Sequence, residues 1–266
     1  MSDPRELADI AAELTRAAGE VLRRRPADLA AESKTTPTDA VTVMDRAAED
    51  VVVDGLRARR PADRIVAEES GDTAVDSDVT WYVDPLDGTV NYLYGLPTYA
   101  VSVAAVVDGV PVAGAVYDVA RDELFTASVG AGATLNGGRL RCTQQIDPAL
   151  ALVATGFGYD SGFRTAQAQV LLQVLPRVRD IRRAGSAALD LCSVAAGRVD
   201  AYYEAGMHSW DWAAGAVIAR EAGARVDGLL GRTPSRQVLL AANPRLFGPL
   251  HDLLVSAGAG DLAPPS

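Results

Sequence analysis

The sequence contains few of the residues that build thiolate, disulfide or histidine-based sites. Its 266 residues include two cysteines and two histidines. Neither Cys142 nor Cys192 belongs to a CxxC or Cys/His pattern, so neither a zinc site nor a disulfide framework is indicated. We expect both thiols to be buried structural groups. His208 and His251 receive no catalytic role, because acidic residues suffice for the chemistry that the chain indicates.

Long apolar runs and an excess of positive charge are also absent. No run reaches the roughly 18 residues that a membrane span needs. Residues 1–25 are amphipathic and include five acidic residues, unlike the basic and then apolar start of a signal peptide. The formal net charge is -10 and the pI is about 4.7. Nucleic acid and anionic membranes are therefore disfavoured as partners. We predict a cytoplasmic protein that binds a phosphate ester only where cations or aligned N–H groups reverse the local charge.

The composition that remains is that of a globular chain with a substantial core, since 48% of the residues are hydrophobic and 23% are charged. We predict one folded unit over residues 1–266 of the α/β (α+β) class. Its N-terminal half, 1–145, should contain helices on a largely antiparallel sheet. The smaller C-terminal half, 146–266, alternates helices and strands in the manner of an α/β fold.

Local patterns place the individual elements. Asp3-Pro4-Arg5-Glu6 is typical of a helix start, with an N-cap carboxylate and proline in the first turn. The polar stretch 32–39 predicts a mobile loop, and alternating apolar residues predict a strand over 101–107. The remaining predicted helices are 45–56, 165–175, 186–195, 211–222 and 246–255. The remaining predicted strands are 64–67, 80–83, 112–117, 150–154 and 201–203.

The segment Asp84-Pro85-Leu86-Asp87-Gly88-Thr89 carries two carboxylates three residues apart at the end of a predicted strand. Both acids can face one point, Leu86 can offer its carbonyl, and Gly88 lets the main chain approach a ligand. Such oxygen-rich surroundings suit Mg²⁺, and a helix starting at Thr89 would offer free N–H groups to phosphate. The alternative is a pair of ordinary Asp-Pro and Asp-Gly turns.

Two further acidic segments lie far away along the chain. Glu68 and Glu69 follow a short predicted strand, and Asp211 stands at the start of an apolar helix. Each has a structural alternative: the glutamates could be solvated surface acids, and Asp211 could be a helix N-cap. If the acids meet, their mutual repulsion calls for divalent cations, which would also tie together the two halves of the chain.

These segments together resemble the inositol monophosphatase family, in particular its bacterial inositol-1-monophosphatases. The likeness rests on residues 67–71, 81–89 and 210–223 in this order, and extends to 34–39, 41–42, 185–190 and 200–204. It covers most of the chain. The resemblance implies the layered αβαβα sandwich of the sugar phosphatases and a homodimer.

The resemblance also implies a set of site residues. A first Mg²⁺ would be held by Glu68, Asp84 and the Leu86 carbonyl, a second by Asp84, Asp87 and Asp211, and a weaker third by Glu68, giving two to three ions. The catalytic residues implied are Glu68, Thr89, which orients the attacking water, and Asp45 beside it. The implied substrate contacts are Asp87, Gly88, Thr89, Gly185, Ser186, Ala187, Glu204 and Asp211.

The activity implied is Mg²⁺-dependent hydrolysis of myo-inositol monophosphate by metal-activated water, without a phosphoenzyme and with inhibition by Li⁺. Related scaffolds act on fructose 1,6-bisphosphate, histidinol phosphate or nucleotide 3'-phosphates, and the core motifs do not separate these small phosphorylated substrates. From another class, relatives are linked to the transcription machinery, which makes a non-enzymic partner the competing hypothesis. The chain retains every expected ligand, which favours the enzyme.

One lysine, a pair of arginines and a pair of tyrosines also need interpretation. Lys34 is the single lysine among 25 basic residues; it is either an exposed solubilising charge or, by the resemblance, part of a mobile loop that closes over the metals. Arg182 and Arg183 either attract phosphate or form a solvated or interface pair. Tyr202 and Tyr203 are interpreted as strand packing.

Overall fold

The computed structural model describes residues 2–34 and 40–265, and these residues form seven α-helices and fifteen strands. The helices are α1 (Pro4–Leu22), α2 (Val43–Arg59), α3 (Thr89–Tyr94), α4 (Ser161–Val174), α5 (Ala187–Ala195), α6 (Ser209–Glu221) and α7 (Pro244–Ser256). The strands are β1 (Ala31–Ser33), β2 (Ala40–Thr42), β3 (Arg64–Ala67), β4 (Gly71–Asp72), β5 (Val79–Asp87), β6 (Ala100–Val107), β7 (Val110–Asp118), β8 (Glu123–Ser128), β9 (Gly132–Leu135), β10 (Gly138–Arg139), β11 (Leu152–Thr155), β12 (Asp180–Arg182), β13 (Ala201–Glu204), β14 (Arg225–Gly228) and β15 (Leu239–Ala242).

Local sequence signals set the helix ends. Asp3 caps α1 by accepting a hydrogen bond from the Arg5 N–H at 2.9 Å, and Pro4 is the first helical residue, as predicted. Ser186 caps α5 in the same way through the N–H of Leu189. Every helix in the described part of the chain is too short or too polar to span a lipid bilayer.

Two main sheets organise the chain. The larger has the strand order β10-β9-β8-β7-β6-β5-β3-β4, and its neighbours are antiparallel except for the parallel pair β3 and β5. The smaller has the order β12-β11-β13-β15-β14, in which β11 is parallel to both of its neighbours. The prediction of a largely antiparallel N-terminal sheet followed by a smaller α/β part is confirmed.

The helices pack in three layers around these sheets. α1 and α2 cover one face of the large sheet, α5 and α6 lie between the two sheets, and α4 and α7 cover the outer face of the small sheet. Four apolar clusters fill the spaces between successive layers, which confirms the αβαβα sandwich. The central layer is tight: a Cβ added to Gly114 on β7 would lie 2.9 Å from the Ala214 Cα on α6.

This central layer explains why β6 departs from a simple alternating pattern. Val101, Val103 and Ala105 pack towards α1 and α2, whereas Ala100 and Ala104 pack towards α5 and α6. Both faces of the strand are therefore buried, because a helical layer covers each side of the sheet. Both cysteines are buried and free, as expected.

Two predicted element boundaries are wrong. The strand predicted to stop before Asp84 continues as β5 to Asp87, because pairing with β6 resumes at Asp87 and Ala100 after a bulge that accommodates Pro85. The stretch predicted as a mobile loop instead begins with β1, which pairs antiparallel with β2. Residues 35–39 of that stretch, including the part of the family resemblance that they carry, lie outside the described residues.

Candidate active site

Parallel pairing of β3 and β5 brings the first two acids together. Ala67 is the partner of Val83 in this pairing, and the Glu68 N–H donates to the Val83 carbonyl at 3.1 Å. The next residue of each chain segment is acidic, so Glu68, directly after β3, and Asp84, still within β5, lie side by side. Glu49 of α2 fixes the chain beyond Glu68 by accepting from the N–H groups of Glu69 and Ser70 at 2.8 and 2.7 Å.

The bulge in β5 adds the third acid. Asp84 pairs with Ser102 of β6, and Asp87 pairs with Ala100, with Pro85 and Leu86 in the irregular segment between them. The Leu86 N–H donates to Asp84 Oδ1 at 3.0 Å, which closes the turn. Two carboxylates of one strand are thereby held on a single tight segment.

The N-terminal ends of the central helices α5 and α6 lie beside this segment of β5. Asp87 Oδ2 accepts hydrogen bonds from Ser186 Oγ at 2.6 Å and from the Ala188 N–H at 2.7 Å, at the beginning of α5. Asp211 lies in the first turn of α6, where its Oδ2 accepts from the His208 N–H at 2.7 Å. Asp211 is therefore not the N-cap of α6, which is His208, but the N3 residue that accepts from the N-cap N–H. It also lies close enough to raise the pKa of Asp84.

Burial and mutual repulsion shift the acidity of all four carboxyl groups. Burial raises the pKa of Glu68 to about 7 and that of Asp87 to about 6. Burial also holds the pKa of Asp84 and of Asp211 well above the usual range, and neighbouring acids, including Glu68 and Asp87, add to both shifts. These four acids are costly to bury as anions without cations beside them.

The donor set fits Mg²⁺. Glu68, Asp84, Asp87 and Asp211, with the Leu86 carbonyl, offer only oxygen ligands, which hard divalent cations prefer. Across residues 2–34 and 40–265, no three carboxylate, imidazole or thiol groups already converge closely enough to hold an ion. The hydrogen bonds described above anchor the carboxylates of Asp84, Asp87 and Asp211.

Lys34 provides a positive charge beside this acidic group. Its ammonium donates to Glu68 Oε1 at 2.8 Å and to Glu69 Oε1. The interpretation of Lys34 as an exposed solubilising charge is wrong, because its side chain is 19% exposed and paired with both acids. Glu68 and Glu69 are likewise not freely solvated, since their side chains are 24% and 10% exposed.

Thr89 and Asp45 meet as the sequence resemblance implied. The Thr89 hydroxyl lies 3.0 Å from Asp45 Oδ1 and 3.0 Å from the Leu86 carbonyl. The other oxygen of Asp45 accepts from the Thr42 N–H at 2.8 Å and from the Thr42 hydroxyl at 2.6 Å. Burial raises the pKa of Asp45. Hydrogen bonds to Thr42 and to the Leu86 carbonyl therefore hold the Thr89 and Asp45 pair next to the bulge of β5.

The loop before α5 packs directly against the bulge of β5 between Asp84 and Asp87. Gly88 has a φ of +99°, and a Cβ added there would lie 3.3 Å from the Gly185 carbonyl and 2.8 Å from the Thr98 carbonyl. The Asn91 side-chain amide donates to the carbonyls of Thr98 at 2.8 Å and Ala184 at 2.9 Å, which ties α3 to this loop. The predicted contact residues 185–187 thus lie beside Gly88 and Asp87. Asn91 was not anticipated, because a lone Asn in a helical segment carries no distinctive signal.

Glu204 ends β13, and Tyr202 on the same strand holds it. The Tyr202 hydroxyl donates to Glu204 Oε2 at 2.7 Å. Tyr202 is fully buried, so its packing role is confirmed, but the bond to Glu204 adds a role that the sequence interpretation missed. Asp190 of α5, also missed, is buried nearby and raises the pKa of Tyr202. Period-two spacing of Tyr202 and Glu204 was the available signal.

Arg183 is exposed at the rim, and its charge reaches this region. It opposes the burial that raises the pKa of Asp87, Asp190 and Glu204. Arg182 instead pairs with Asp180 at 2.6 Å. The two arginines therefore have separate surroundings and do not act as one cationic pair.

Aromatic rings flank two of the acids. Trp81 is buried in β5, three residues before Asp84, and its indole N–H donates to Asp63 Oδ2 at 2.9 Å. Trp210, directly before Asp211, stacks on His208 with ring centroids 4.6 Å apart. These contacts fix the backbone on either side of the acidic group.

Comparison with known proteins points to one family. The family model described as inositol monophosphatase family matches residues 3–257. The inositol-1-monophosphatase SuhB of Mycobacterium tuberculosis H37Rv is 49% identical over 245 residues, which cover 85% of this chain and 84% of the relative. The Nus factor SuhB of Escherichia coli K12 is 41% identical over 244 residues, covering 90% and 91%. The solved structure of Mycobacterium tuberculosis SuhB has a TM-score of 0.84 at 44% identity and covers 98% of this chain and 100% of that one.

Proposed function

This chain belongs to the inositol monophosphatase family and is a phosphatase of that family, and we propose that it hydrolyses myo-inositol monophosphates to inositol and phosphate with Mg²⁺. The observation that carries the proposal is the gathering of four acids beside the Thr89 and Asp45 pair: Asp84 is buried, and Glu68, Asp87 and Asp211 are half-buried. Stable burial of these groups as anions calls for cations.

The residues that would hold two to three Mg²⁺ are Glu68, Asp84, the Leu86 carbonyl, Asp87 and Asp211. When bound, the ions supply charge neutralisation, attraction for the phosphate dianion and a lower pKa for water. Asp87 accepts hydrogen bonds from the start of α5, and Asp211 lies in the first turn of α6. The N-terminal dipoles of both helices favour an anion. The first N–H groups of α3, at Gly88 and Thr89, have no helical partner and support the phosphate contact.

Thr89 and Asp45 are proposed to position the attacking water. The Thr89 hydroxyl has one proton, which it donates to Asp45 at 3.0 Å, so its lone pairs accept from a water molecule. The proton of that water can then pass through the hydroxyl to Asp45, whose pKa is raised by burial. Glu68 is proposed to act with them.

Glu204 and residues 185–187 are proposed to bind the polyol. The Glu204 carboxylate accepts hydrogen bonds from substrate hydroxyls, and the loop beside Gly88 places backbone groups next to them. Esters without ring hydroxyls lack these bonds. This arrangement favours polyol phosphates such as inositol phosphates over histidinol phosphate. The remaining alternatives, fructose 1,6-bisphosphate and nucleotide 3'-phosphates, also carry hydroxyl groups, so the substrate panel below has to separate them.

The relatives add further expectations to the proposal. By family resemblance the protein is expected to be a homodimer and to be inhibited by Li⁺ in competition with Mg²⁺. The name Nus factor SuhB of the Escherichia coli relative supports, as the second candidate, a role as a protein partner of the transcription machinery. The complete set of acidic residues supports the enzyme over a purely non-enzymic partner.

The test is a phosphate-release assay over a substrate panel, with Mg²⁺ and with EDTA. The panel contains inositol 1-phosphate, fructose 1,6-bisphosphate, histidinol phosphate and adenosine 3'-phosphate. The proposal expects the highest kcat/KM for inositol 1-phosphate, complete dependence on Mg²⁺ and loss of activity on titration with Li⁺ at limiting Mg²⁺. Preference for another substrate, or activity in EDTA, contradicts it. A pull-down of transcription proteins with an inactive enzyme supports the second candidate.

A further inference from the structure

Glu204 occupies space that exists only because residue 156 is glycine. β11 and β13 are parallel neighbours, and Thr155 of β11 is paired with Tyr203 of β13. Gly156 directly follows Thr155 and Glu204 directly follows Tyr203, so the two residues lie next to each other at the same end of the small sheet. A Cβ added to Gly156 would overlap three atoms of the Glu204 side chain, namely Cδ, Oε1 and Oε2. The carboxylate therefore lies flat against the Gly156 backbone, and any side chain at this position displaces it.

Tyr202 fixes the same carboxylate from the protein interior. Its ring is fully buried, and its hydroxyl lies 2.7 Å from Glu204 Oε2 and 3.1 Å from Met207 Sδ. A phenol has one proton, and a carboxylate is a much better acceptor than a thioether, so the proton is donated to Oε2. One oxygen of Glu204 is thereby held by the protein.

We infer that Gly156 and Tyr202 are positioning residues that orient the Glu204 carboxylate towards substrate hydroxyls and so set the preference for polyol phosphates. This inference rests on the proposed function, in which Glu204 contacts the polyol. With Oε2 held by Tyr202, Oε1 is presented to accept hydroxyl groups. A site built to bond a hydroxyl discriminates strongly against an ester that lacks it, because its buried polar group is then left without a partner.

The electrostatic surroundings of Glu204 agree with this role. Burial raises the pKa of Glu204 to about 7, while the Tyr202 bond and the Arg183 charge lower it and Asp87 raises it. Asp190 of α5 also faces Glu204, whose charge raises the pKa of Asp190. Without the Tyr202 hydroxyl, Glu204 holds its proton to higher pH and loses acceptor capacity near neutrality.

The experiment compares two substrates across four variants of the full-length protein. Gly156→Ala fills the space under Glu204, and Tyr202→Phe removes its hydrogen bond. Gly248→Ala is the matched control for the first, because nothing lies within 4 Å of a Cβ added there. Tyr203→Phe is the control for the second, because its hydroxyl bonds Thr155 instead. The substrates are inositol 1-phosphate and p-nitrophenyl phosphate, each at saturating Mg²⁺.

Gly156→Ala and Tyr202→Phe should each lower kcat/KM for inositol 1-phosphate about tenfold, mainly through KM, since each disturbs a hydrogen bond to a charged group. Turnover of p-nitrophenyl phosphate should stay within about twofold of the wild type. This ester has no hydroxyl groups on its ring, so losing the polyol contact does not weaken its binding. In Tyr202→Phe the acid limb of the pH profile for inositol 1-phosphate should also move to higher pH. Both control variants should match the wild type on both substrates.

Two results overturn the inference while leaving the proposed function intact. In the first, the Gly156→Ala and Tyr202→Phe variants retain the wild-type preference for inositol 1-phosphate. In the second, they lose activity on both substrates equally, which indicates general damage to the fold or to the metal site. If Gly156→Ala does not fold, Tyr202→Phe alone decides between these results. A wild-type enzyme that shows no preference for inositol 1-phosphate contradicts the proposed function itself, and this inference with it.

Discussion

The Thr89 hydroxyl donates to Asp45 Oδ1 at 3.0 Å between two buried side chains, 44 positions apart in the chain. The same hydroxyl also lies 3.0 Å from the Leu86 carbonyl. Its single proton can favour only one of these acceptors at a time. A cation on the Leu86 carbonyl would therefore commit the proton to Asp45 and leave the hydroxyl oxygen to accept from water.

Replacing Thr89 tests this relay. Thr89→Val keeps the shape of the side chain but removes the proton path, so kcat for inositol 1-phosphate should fall by about 100-fold or more with KM nearly unchanged. Thr89→Ser keeps a hydroxyl and should retain most of the activity. Steady-state phosphate release measures both constants. Equal activities of the two variants contradict a role for the hydroxyl.

Replacing Asp84 separates function from stability. Asp84→Asn removes the acid whose pKa responds to Glu68, Asp87 and Asp211, so Mg²⁺-dependent turnover should fall by at least about 100-fold. The melting temperature in EDTA should not decrease, because one buried like charge is lost. Asp76→Asn, at an exposed position, is the control and should change neither quantity. A folded Asp84→Asn variant with full activity is incompatible with the proposed metal site.

The stability of the metal-free protein should fall as pH rises from about 4 to 7. Unfolded carboxyl groups release their protons near pH 4, whereas burial raises the pKa of Asp87 to about 6 and of Glu68 to about 7. The folded state therefore binds more protons in this window, and the free energy of unfolding decreases with pH. Thermal unfolding in EDTA should show a decrease on the order of 5 °C.

Magnesium should remove that decrease. The ions bind the deprotonated carboxylates, so their stabilising effect grows with pH and is larger at pH 8 than at pH 5. Thermal unfolding at both pH values, with Mg²⁺ and with EDTA, measures the difference. A stabilisation by Mg²⁺ that does not depend on pH, or that is greater at pH 5, contradicts binding to these acids.

Lys34 should control how much Mg²⁺ the enzyme needs. Its ammonium bonds Glu68 at 2.8 Å and also bonds Glu69, so a cation at Glu68 must compete with it. Lys34→Ala should lower the Mg²⁺ concentration for half-maximal activity several-fold. Arg46→Ala is a suitable control, because it removes a nearby exposed ion pair, with Glu32 at 2.7 Å. An increased requirement for Mg²⁺ in Lys34→Ala would indicate that the ammonium helps to assemble the site.

The fold was largely predictable because its signals are local. Asp3 and Pro4 mark the start of α1, and the turns at Asp108-Gly109 and Asn136-Gly137 have the positive φ angles that such pairs adopt readily. The layered architecture came from the resemblance, not from periodicity. Burial of both faces of β6 could not be read from its apolar residues, because coverage by α5 and α6 depends on contacts more than 80 positions away.

The site was predictable in composition but not in its supporting contacts. Glu68, Asp84, Asp87 and Asp211 stand in motifs of unusual residue order. The bonds from Tyr202 to Glu204 and from Lys34 to Glu68 join residues of common type. Period-two spacing places Tyr202 and Glu204 on one face of β13 but does not show that they bond, and no sequence pattern links Lys34 to Glu68. The continuation of β5 through Pro85 also needed the structure, since proline usually marks the end of a strand.

The placement of the indole rings gives the protein a built-in optical reporter. The chain has three tryptophans, and they are Trp81, three residues before Asp84, and Trp210 and Trp212, on either side of Asp211. A cation that settles among these acids changes the electric field at every indole of the molecule. Tryptophan emission therefore follows occupancy of the site in the unlabelled wild-type protein, and equilibrium titrations can be made without substrate and without turnover.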